Sequence, residues 1–188
     1  SSLCRVAFET TTPPTAVALK QAQALDLKNF SVFCNHVLTP SAMRAILDSA
    51  EVGAEGGIAL DGFIGPAHVS TVIGSRPYET FAEDDGKPVV IAGFEPLDVM
   101  QAVLMLVRQI NEGRHEVENE FTRAVTRTGN EKAQALTAEI FDLRESFEWR
   151  GLGLVERSAL RLRDAFAAWD AEKRFDVPAD SVPDVKSC

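Results

Sequence analysis

The sequence predicts an α/β fold: a Rossmann-like parallel sheet with helices on both faces, followed by a smaller appended α+β region. Three observations predict it. Short apolar runs of strand length recur at 5–8, 30–34, 62–64 and 89–92 without polar alternation, as strands covered on both faces do. Each run leads into a small polar cluster and a proline, in FETTTP, CNHVLTP, GFIGPAHVS and AGFEP. Helix-periodic segments lie between the runs, so strand and helix alternate strictly to residue 112. That alternation gives right-handed crossovers and a parallel sheet.

Taken in order, the 5–8 strand is followed by a helix over 15–25 with Ala and Leu at core spacing, and the 30–34 strand by a helix over 41–47. The stretch 51–57, with three glycines and two glutamates, reads as an exposed loop inserted before the 62–64 strand. A helix over 77–83 precedes the 89–92 strand, and the most apolar helix, 97–110, follows it. Each proline falls where a helix begins, a position that needs no N–H; Thr12, Thr39 and Glu95 stand just before it, placed to cap the helix or complement its dipole. After Gly113 the character changes. A partly alternating strand is expected over 117–125, an amphipathic helix over 131–143, a short extended piece at 147–149 and a short helix within 160–175. The expected domains are therefore 1–113, a Rossmann-like α/β domain, and 114–188, the appended region.

Composition narrows the function classes. A net charge of −9 with dispersed Lys and Arg argues against nucleic-acid binding, which needs clustered cations. The 97–110 segment is shorter than a bilayer span and is flanked by charges, so no membrane partner is expected. Cys4, Cys34 and Cys188 are too few and too scattered for a disulfide framework, and a reducing cytoplasm is the expected compartment. Both ends read as cut. Ser1 and Ser2 run almost directly into a strand that should be central, and the chain stops on Cys188 after a loop-like PADSVPDVKSC, so a piece of a longer protein is expected.

In an open α/β sheet ligands bind at the carboxyl ends of the strands, where helix N-termini converge. Glu9, His36, His68 and Glu95 all fall at such ends and are expected to face one site. Glu9 offers a carboxylate as base or ligand, while Thr10 and Thr11 either hydrogen-bond a ligand or cap the helix. His68, in His68-Val69-Ser70, opens a helix whose positive end keeps an imidazole available as acceptor or metal ligand; the alternative is a histidine bonded to a loop carbonyl. Cys34 closes an apolar run and reads as a buried small hydrophobe rather than a nucleophile. Glu95 and Asp98 complement a helix dipole, Arg76 either steers an anion or pairs with an acid, and Glu118, Asn119, Phe121, Arg123 and Trp149-Arg150-Gly151 serve as partner-facing or structural surface. A P-loop, a G-x-G-x-x-G turn, a G-x-S-x-G elbow and a zinc-type cysteine cluster are all missing from the sequence.

Taken together, AFETTTPPTAVAL, NFSVFCNHVLTPSAMRAIL, DGFIGPAHVSTVIGSRPYE, VVIAGFEPLDVMQ, EVENEFTR and FEWRGLG resemble the HypD family of nickel-iron hydrogenase maturation proteins over nearly the whole chain. The family's G-F-E-T-T and P-x-H-V-S motifs recur as Phe8-Glu9-Thr10-Thr11 and Pro66-Ala67-His68-Val69-Ser70, with Ala7 where the family has glycine. The resemblance implies a scaffold that, with a small HypC-type chaperone, carries iron while cyanide and carbon monoxide ligands are installed, the cyanide arriving from a HypE-type partner. Site residues would be Glu9, Thr10, Thr11, His68 and Ser70, with His68 toward the metal. The family's four-iron four-sulfur cluster is held by C-terminal cysteines, of which Cys188 resembles the first, and its redox-active cysteines lie in an N-terminal domain. On that resemblance the chain is the second α/β domain with part of the third, and lacks a complete cluster. The competing reading is an enzyme using Glu9 or Glu95 as base and His68 as acid on a small anionic substrate.

Overall fold

The computed structural model describes residues 2–49, 52 and 59–176, with the side chains of 2–7 left aside. The chain is mixed α/β and forms two compact units, Ser1–Ile46 with Ala135–Cys188 and Leu47–Gln134. The sequence places a boundary at 113; the contacts divide the chain elsewhere, and residues 114–134 stay with the strands that precede them.

The first unit opens with β1 (Ser2–Ala7), a 3-10 turn at Glu9–Thr11 and α1 (Thr12–Ala24). Pro13 and Pro14 lie in the first turn of α1, where their missing N–H groups would have no helical acceptor. β2 (Ser31–His36) pairs parallel to β1, Ser2 opposite Ser31 through Ala7 opposite His36, and α2 (Thr39–Leu47) follows it. Of the 51–57 loop, only Val52 falls among the described residues.

The second unit carries the three-stranded parallel sheet. β3 (Phe63–Pro66) runs directly into α3 (Ala67–Ile73), and a 3-10 turn at Arg76–Tyr78 leads into α4 (Glu79–Glu83). β4 (Val89–Ala92) is the central strand, and all four of its residues are buried, as its unbroken apolar sequence requires. α5 (Pro96–Glu112) lays Ala102, Met105 and Leu106 on Val90 and Ala92 and stops at Gly113, which takes the left-handed conformation glycine adopts without strain. β5 (Val117–Asn119) joins β4 in parallel, Val89 opposite Val117. The strand expected over 117–125 ends at 119, because Ala124 and Val125 turn back to donate to the Phe121 carbonyl.

The chain then returns to the first unit. α6 (Glu131–Ile140) passes straight into β6 (Phe141–Leu143), so the expected helix to 143 is three residues shorter. β7 (Ser146–Trp149) and β8 (Gly153–Glu156) form a hairpin, and β9 (Leu160–Leu162) pairs antiparallel to β6. A 3-10 helix at Asp164–Trp169 and α7 (Ala171–Arg174) finish the described chain, where the sequence suggests one short helix. Ile140, Phe141, Leu160, Leu162, Phe166 and Trp169 bury themselves against Ala16, Leu19, Ala22, Val32 and Cys34. That shared core explains why 135–176 packs with the first unit: α1 and β2 have an apolar face that this segment covers.

Side-chain donors to backbone carbonyls fix the arrangement. Arg144 donates from Nε to the Leu160 carbonyl at 3.0 Å and from Nη2 to the Cys34 carbonyl at 3.1 Å and to Glu172 Oε1 at 2.6 Å. Arg174 donates to the Lys28 and Phe30 carbonyls at 2.7 and 2.6 Å, and Trp169 Nε1 to the Leu27 carbonyl at 2.9 Å. These side chains tie β2 and the residues just before it to the returning segment.

Candidate functional site

In the first unit the strand-end motif FETTTP works as a brace. Glu9 is only 4 % exposed. Its Oε1 accepts from the Thr39 backbone N–H at 2.6 Å and its Oε2 from the Thr39 hydroxyl at 2.9 Å. Thr39 begins α2, so Glu9 satisfies an N–H that the helix itself leaves without a partner, and it does so from thirty residues away. Burial pushes the Glu9 carboxyl above its ordinary range, against the hydrogen bonds from its own backbone N–H and from Thr39. With both oxygens engaged, the carboxylate is spent on α2 rather than offered to an open edge.

The threonines do not cap α1. Thr11 Oγ1 donates to the Phe8 carbonyl at 3.3 Å, Thr12 Oγ1 to the same carbonyl at 3.4 Å, and Thr15 Oγ1 to the Thr11 carbonyl at 2.9 Å. They bond back to the turn, in the manner of hydroxyls that compete with the backbone at helix starts. Thr10 is half-buried beside them. His36 is fully buried, with its ring edge-to-face on Phe141 at 5.6 Å, and so belongs to the interior. Cys34 is fully buried as well; its thiol donates to the Leu160 carbonyl at 3.3 Å, and burial pushes it up to about 11. The sequence reading of Cys34 as a small hydrophobe is the one the fold realises.

In the second unit the ends of β3, β4 and β5 assemble a different group. Because β3 and β4 are adjacent and parallel, Pro66 opposite Ala92, the N-termini of α3 and α5 emerge side by side. His68 is exposed on the first turn of α3, and its ring stacks on Phe94 with centroids 4.8 Å apart and planes 10° apart. Phe121, from the turn after β5, lies 6.2 Å from the same imidazole. Arg123 lies over Phe121, its guanidinium carbon 3.7 Å from the ring centroid. Its Nη2 donates to Asp98 Oδ2 at 2.6 Å and to Glu95 Oε2 at 3.3 Å. That hydrogen bond holds the Asp98 carboxyl below its ordinary range and raises the Arg123 guanidinium. Gly93 makes the close approach possible, since a Cβ there would stand 2.0 Å from Asp98 Oδ2 and 2.5 Å from Phe121 Cε2.

Ser70 shares α3 with His68 but points the other way. It is fully buried and donates to the Pro66 carbonyl at 2.8 Å, with the Tyr78 hydroxyl 3.4 Å off. The four strand-end residues expected to share one site are divided between the units: Glu9 and His36 in one, His68 and Glu95 in the other. Sequence reasoning missed Phe94, which is 72 % exposed directly after a fully buried strand; an aromatic at that point of AGFEP was the available signal. It also missed Thr39 as the partner of Glu9, for which the sequence holds no signal. Trp149 anchors its hairpin through Nε1 to Ser158 Oγ at 2.8 Å, and Asn119 donates to the Val125 carbonyl at 2.9 Å, so both have structural places.

Among the described residues, no group of three or more His, Cys, Asp and Glu side chains is arranged to hold a metal ion. Cys34, buried and bonded to a carbonyl, does not suit a cluster ligand; Cys188 lies outside the described residues. No helix among the described residues is long and apolar enough to cross a membrane.

These features define a class: a parallel α/β protein whose exposed polar and aromatic side chains gather where the strands end. The chain belongs to the HypD family. The family model described as "HypD: Hydrogenase formation hypA family" matches residues 3–188. The chain is 66 % identical over 183 residues to the hydrogenase maturation factor HypD of Cupriavidus necator, covering 97 % of this chain and 48 % of that protein. It is 67 % identical over 183 residues to that of Azotobacter vinelandii, with the same coverage, and 42 % identical over 168 residues to that of Escherichia coli, covering 89 % and 43 %. The chain thus spans about half the length of the curated relatives it matches.

Proposed function

We propose that this chain is part of a scaffold in nickel-iron hydrogenase maturation. It would work with a HypC-type chaperone to hold iron while cyanide and carbon monoxide ligands are added, the cyanide coming from a HypE-type donor. The observation that carries the reading is its identity of about two-thirds, over 97 % of its length, with hydrogenase maturation factors. The iron unit is cargo in this reading, and electrons come from a four-iron four-sulfur cluster to which Cys188 would contribute. The cytoplasm is the matching compartment.

Within the described residues, His68 is the side chain best placed to meet the cargo. It is exposed at the open end of β3, and Phe94 fixes its ring plane. Arg123, Asp98 and Glu95 form a charged rim beside it, suited to orienting a small polar unit by hydrogen bonds rather than to binding iron directly. Glu9 supports the scaffold by holding α2.

Anaerobic co-purification with a HypC-type chaperone, read by iron content and by infrared bands of metal-bound cyanide and carbonyl, tests the proposal. The expected result is bands in a longer form of the protein that fade in its His68→Ala variant. Absence of chaperone binding by both the longer form and this chain would overturn it.

A further inference from the structure

The register of the second unit's parallel sheet brings two rings together. Pro66 of β3 lies opposite Ala92 of β4, and His68 and Phe94 each stand two residues beyond that pair. The chain leaves both strands for a helix at this edge, directly into α3 and after Glu95 into α5, so the two side chains project from matching positions of neighbouring strand ends. Their rings stack with centroids 4.8 Å apart and planes 10° apart. The third strand end follows the same rule. Asn119 of β5 lies opposite Ile91, and Phe121, two residues on, packs over Gly93, where a Cβ would stand 2.5 Å from Phe121 Cε2. Phe121 thereby reaches the imidazole at 6.2 Å, tilted by 39°.

Phe94 contributes little to the core, being 72 % exposed directly after a strand whose four residues are buried. Its backbone is nonetheless fixed, because Gly93 is enclosed by Asp98 and Phe121 and Pro96 begins α5 two residues on. The imidazole it meets is not oriented by hydrogen bonds. Among the described residues the side-chain hydrogen bond at His68 goes to its backbone carbonyl, from Thr71 Oγ1 at 2.6 Å, and none involves the ring nitrogens. Histidines that serve a metal or a reaction are ordinarily held by a hydrogen bond to one ring nitrogen, which also fixes the tautomer. Stacking does the first without the second: it sets the ring plane and leaves both nitrogens for a ligand. An unheld histidine on a helix has about two χ1 wells and a two-fold χ2, so its ring spreads over about four orientations. We propose that Phe94 is a positioning residue, whose stacking holds His68 in one of those orientations and leaves both imidazole nitrogens to meet the cargo, one as donor and the other as acceptor. What the imidazole meets rests on the maturation reading; how it is held does not.

Two measurements test this. With the three histidines of the chain isotope-labelled, the His68 ring resonance is the one lost in His68→Gln, and the Phe94 ring current places it upfield. Phe94→Leu moves that resonance downfield and averages the χ1 coupling of His68, Phe94→Tyr restores both, and the His115 resonance, from the same unit, stays in place as the control for folding. In a longer form bound to a HypC-type chaperone, infrared bands of metal-bound cyanide and carbonyl, measured per iron early in expression, fall about fourfold in Phe94→Leu, the share of one orientation in four, and recover in Phe94→Tyr. A His68 resonance and coupling unmoved by Phe94→Leu overturn the proposal. A His115 resonance that moves as well makes Phe94 a structural residue and overturns it too. So does a loss of bands that Phe94→Tyr fails to restore, or a further loss when Phe94→Leu is added to His68→Ala, since Phe94 then acts without His68. Bands undiminished in His68→Ala overturn the maturation role of His68 instead, and the resonance measurement then still decides whether Phe94 holds the ring.

Discussion

Glu9→Ala removes the acceptor for two donors of Thr39, the backbone N–H at 2.6 Å and the hydroxyl at 2.9 Å. A hydrogen bond to a charged group contributes about 1.5–3 kcal/mol, so the pair is worth roughly 3–6 kcal/mol before the desolvation of a carboxylate is subtracted. Burial is the largest influence on Glu9 and opposes those bonds, which brings the expected net loss to about 2–3 kcal/mol. Glu9→Gln keeps an acceptor for the N–H, lets its amide donate to the Thr39 hydroxyl and removes the buried charge, so it should lose less than about 1 kcal/mol. Both tryptophans, Trp149 and Trp169, lie in the same unit as Glu9, so their fluorescence in a urea titration follows that unit. At about 2–4 °C per kcal/mol for a chain of this size, the alanine variant should melt roughly 4–12 °C lower. The pH dependence has a definite sign. With the folded carboxyl above its ordinary value of 4.5, the folded state binds the proton more tightly than the unfolded state. Glu9 therefore favours folding most below pH 4.5 and loses that contribution as pH rises toward the folded value, a slope that Glu9→Gln should flatten. Equal losses for Gln and Ala, or no loss for Ala, would refute the role of Glu9 as the brace of α2.

Gly93→Ala drives a methyl into Asp98 and Phe121 and should destabilise the second unit by at least about 2 kcal/mol; chemical shifts of His68 and Phe121 resonances would report the displaced ring, and their constancy would contradict the geometry. Arg144→Lys cannot reproduce three bonds from one planar fork and should lose about 1–3 kcal/mol by urea unfolding, against a negligible change if the contacts to Cys34 and Glu172 are incidental. In a variant without Cys4 and Cys188, the Cys34 thiol, pushed up to about 11 and fully buried, should react with iodoacetamide at pH 8 only after denaturant is added. Rapid labelling of the native chain would show that the packing around Leu160 opens.

Much of the fold was legible because its signals are local. An unbroken VVIA reads as a strand buried on both faces, and β4 occupies those four residues. Prolines in the first turns of α1 and α5, and Gly113 at the end of α5, marked helix limits because ring geometry and positive φ act on single residues. The family motifs were equally readable, since they are runs of neighbouring residues.

Three-dimensional structure decided what depends on residues distant in the chain. The break after Gly113 looked like a domain boundary because composition changes there, yet β5 completes the sheet begun by β3 and β4, and 135–176 covers α1 and β2. No local pattern encodes that return. Nor does a sequence tell which of two strand-end carboxylates faces inward: Glu9 is drawn into the interior by Thr39, thirty residues on, while Glu95 stays at the rim with Arg123. Ser70 and His68 are two residues apart and so about 200° around a helix, which sends one into the core and the other to the surface. Sequence by itself determined the alternating strands and helices up to Glu112, the polar residues at strand ends and the family; the tertiary structure determined the elements after Gly113 and which of those polar residues are spent on holding the fold and which remain exposed, because burial and hydrogen-bond pairing are properties of contacts between distant segments.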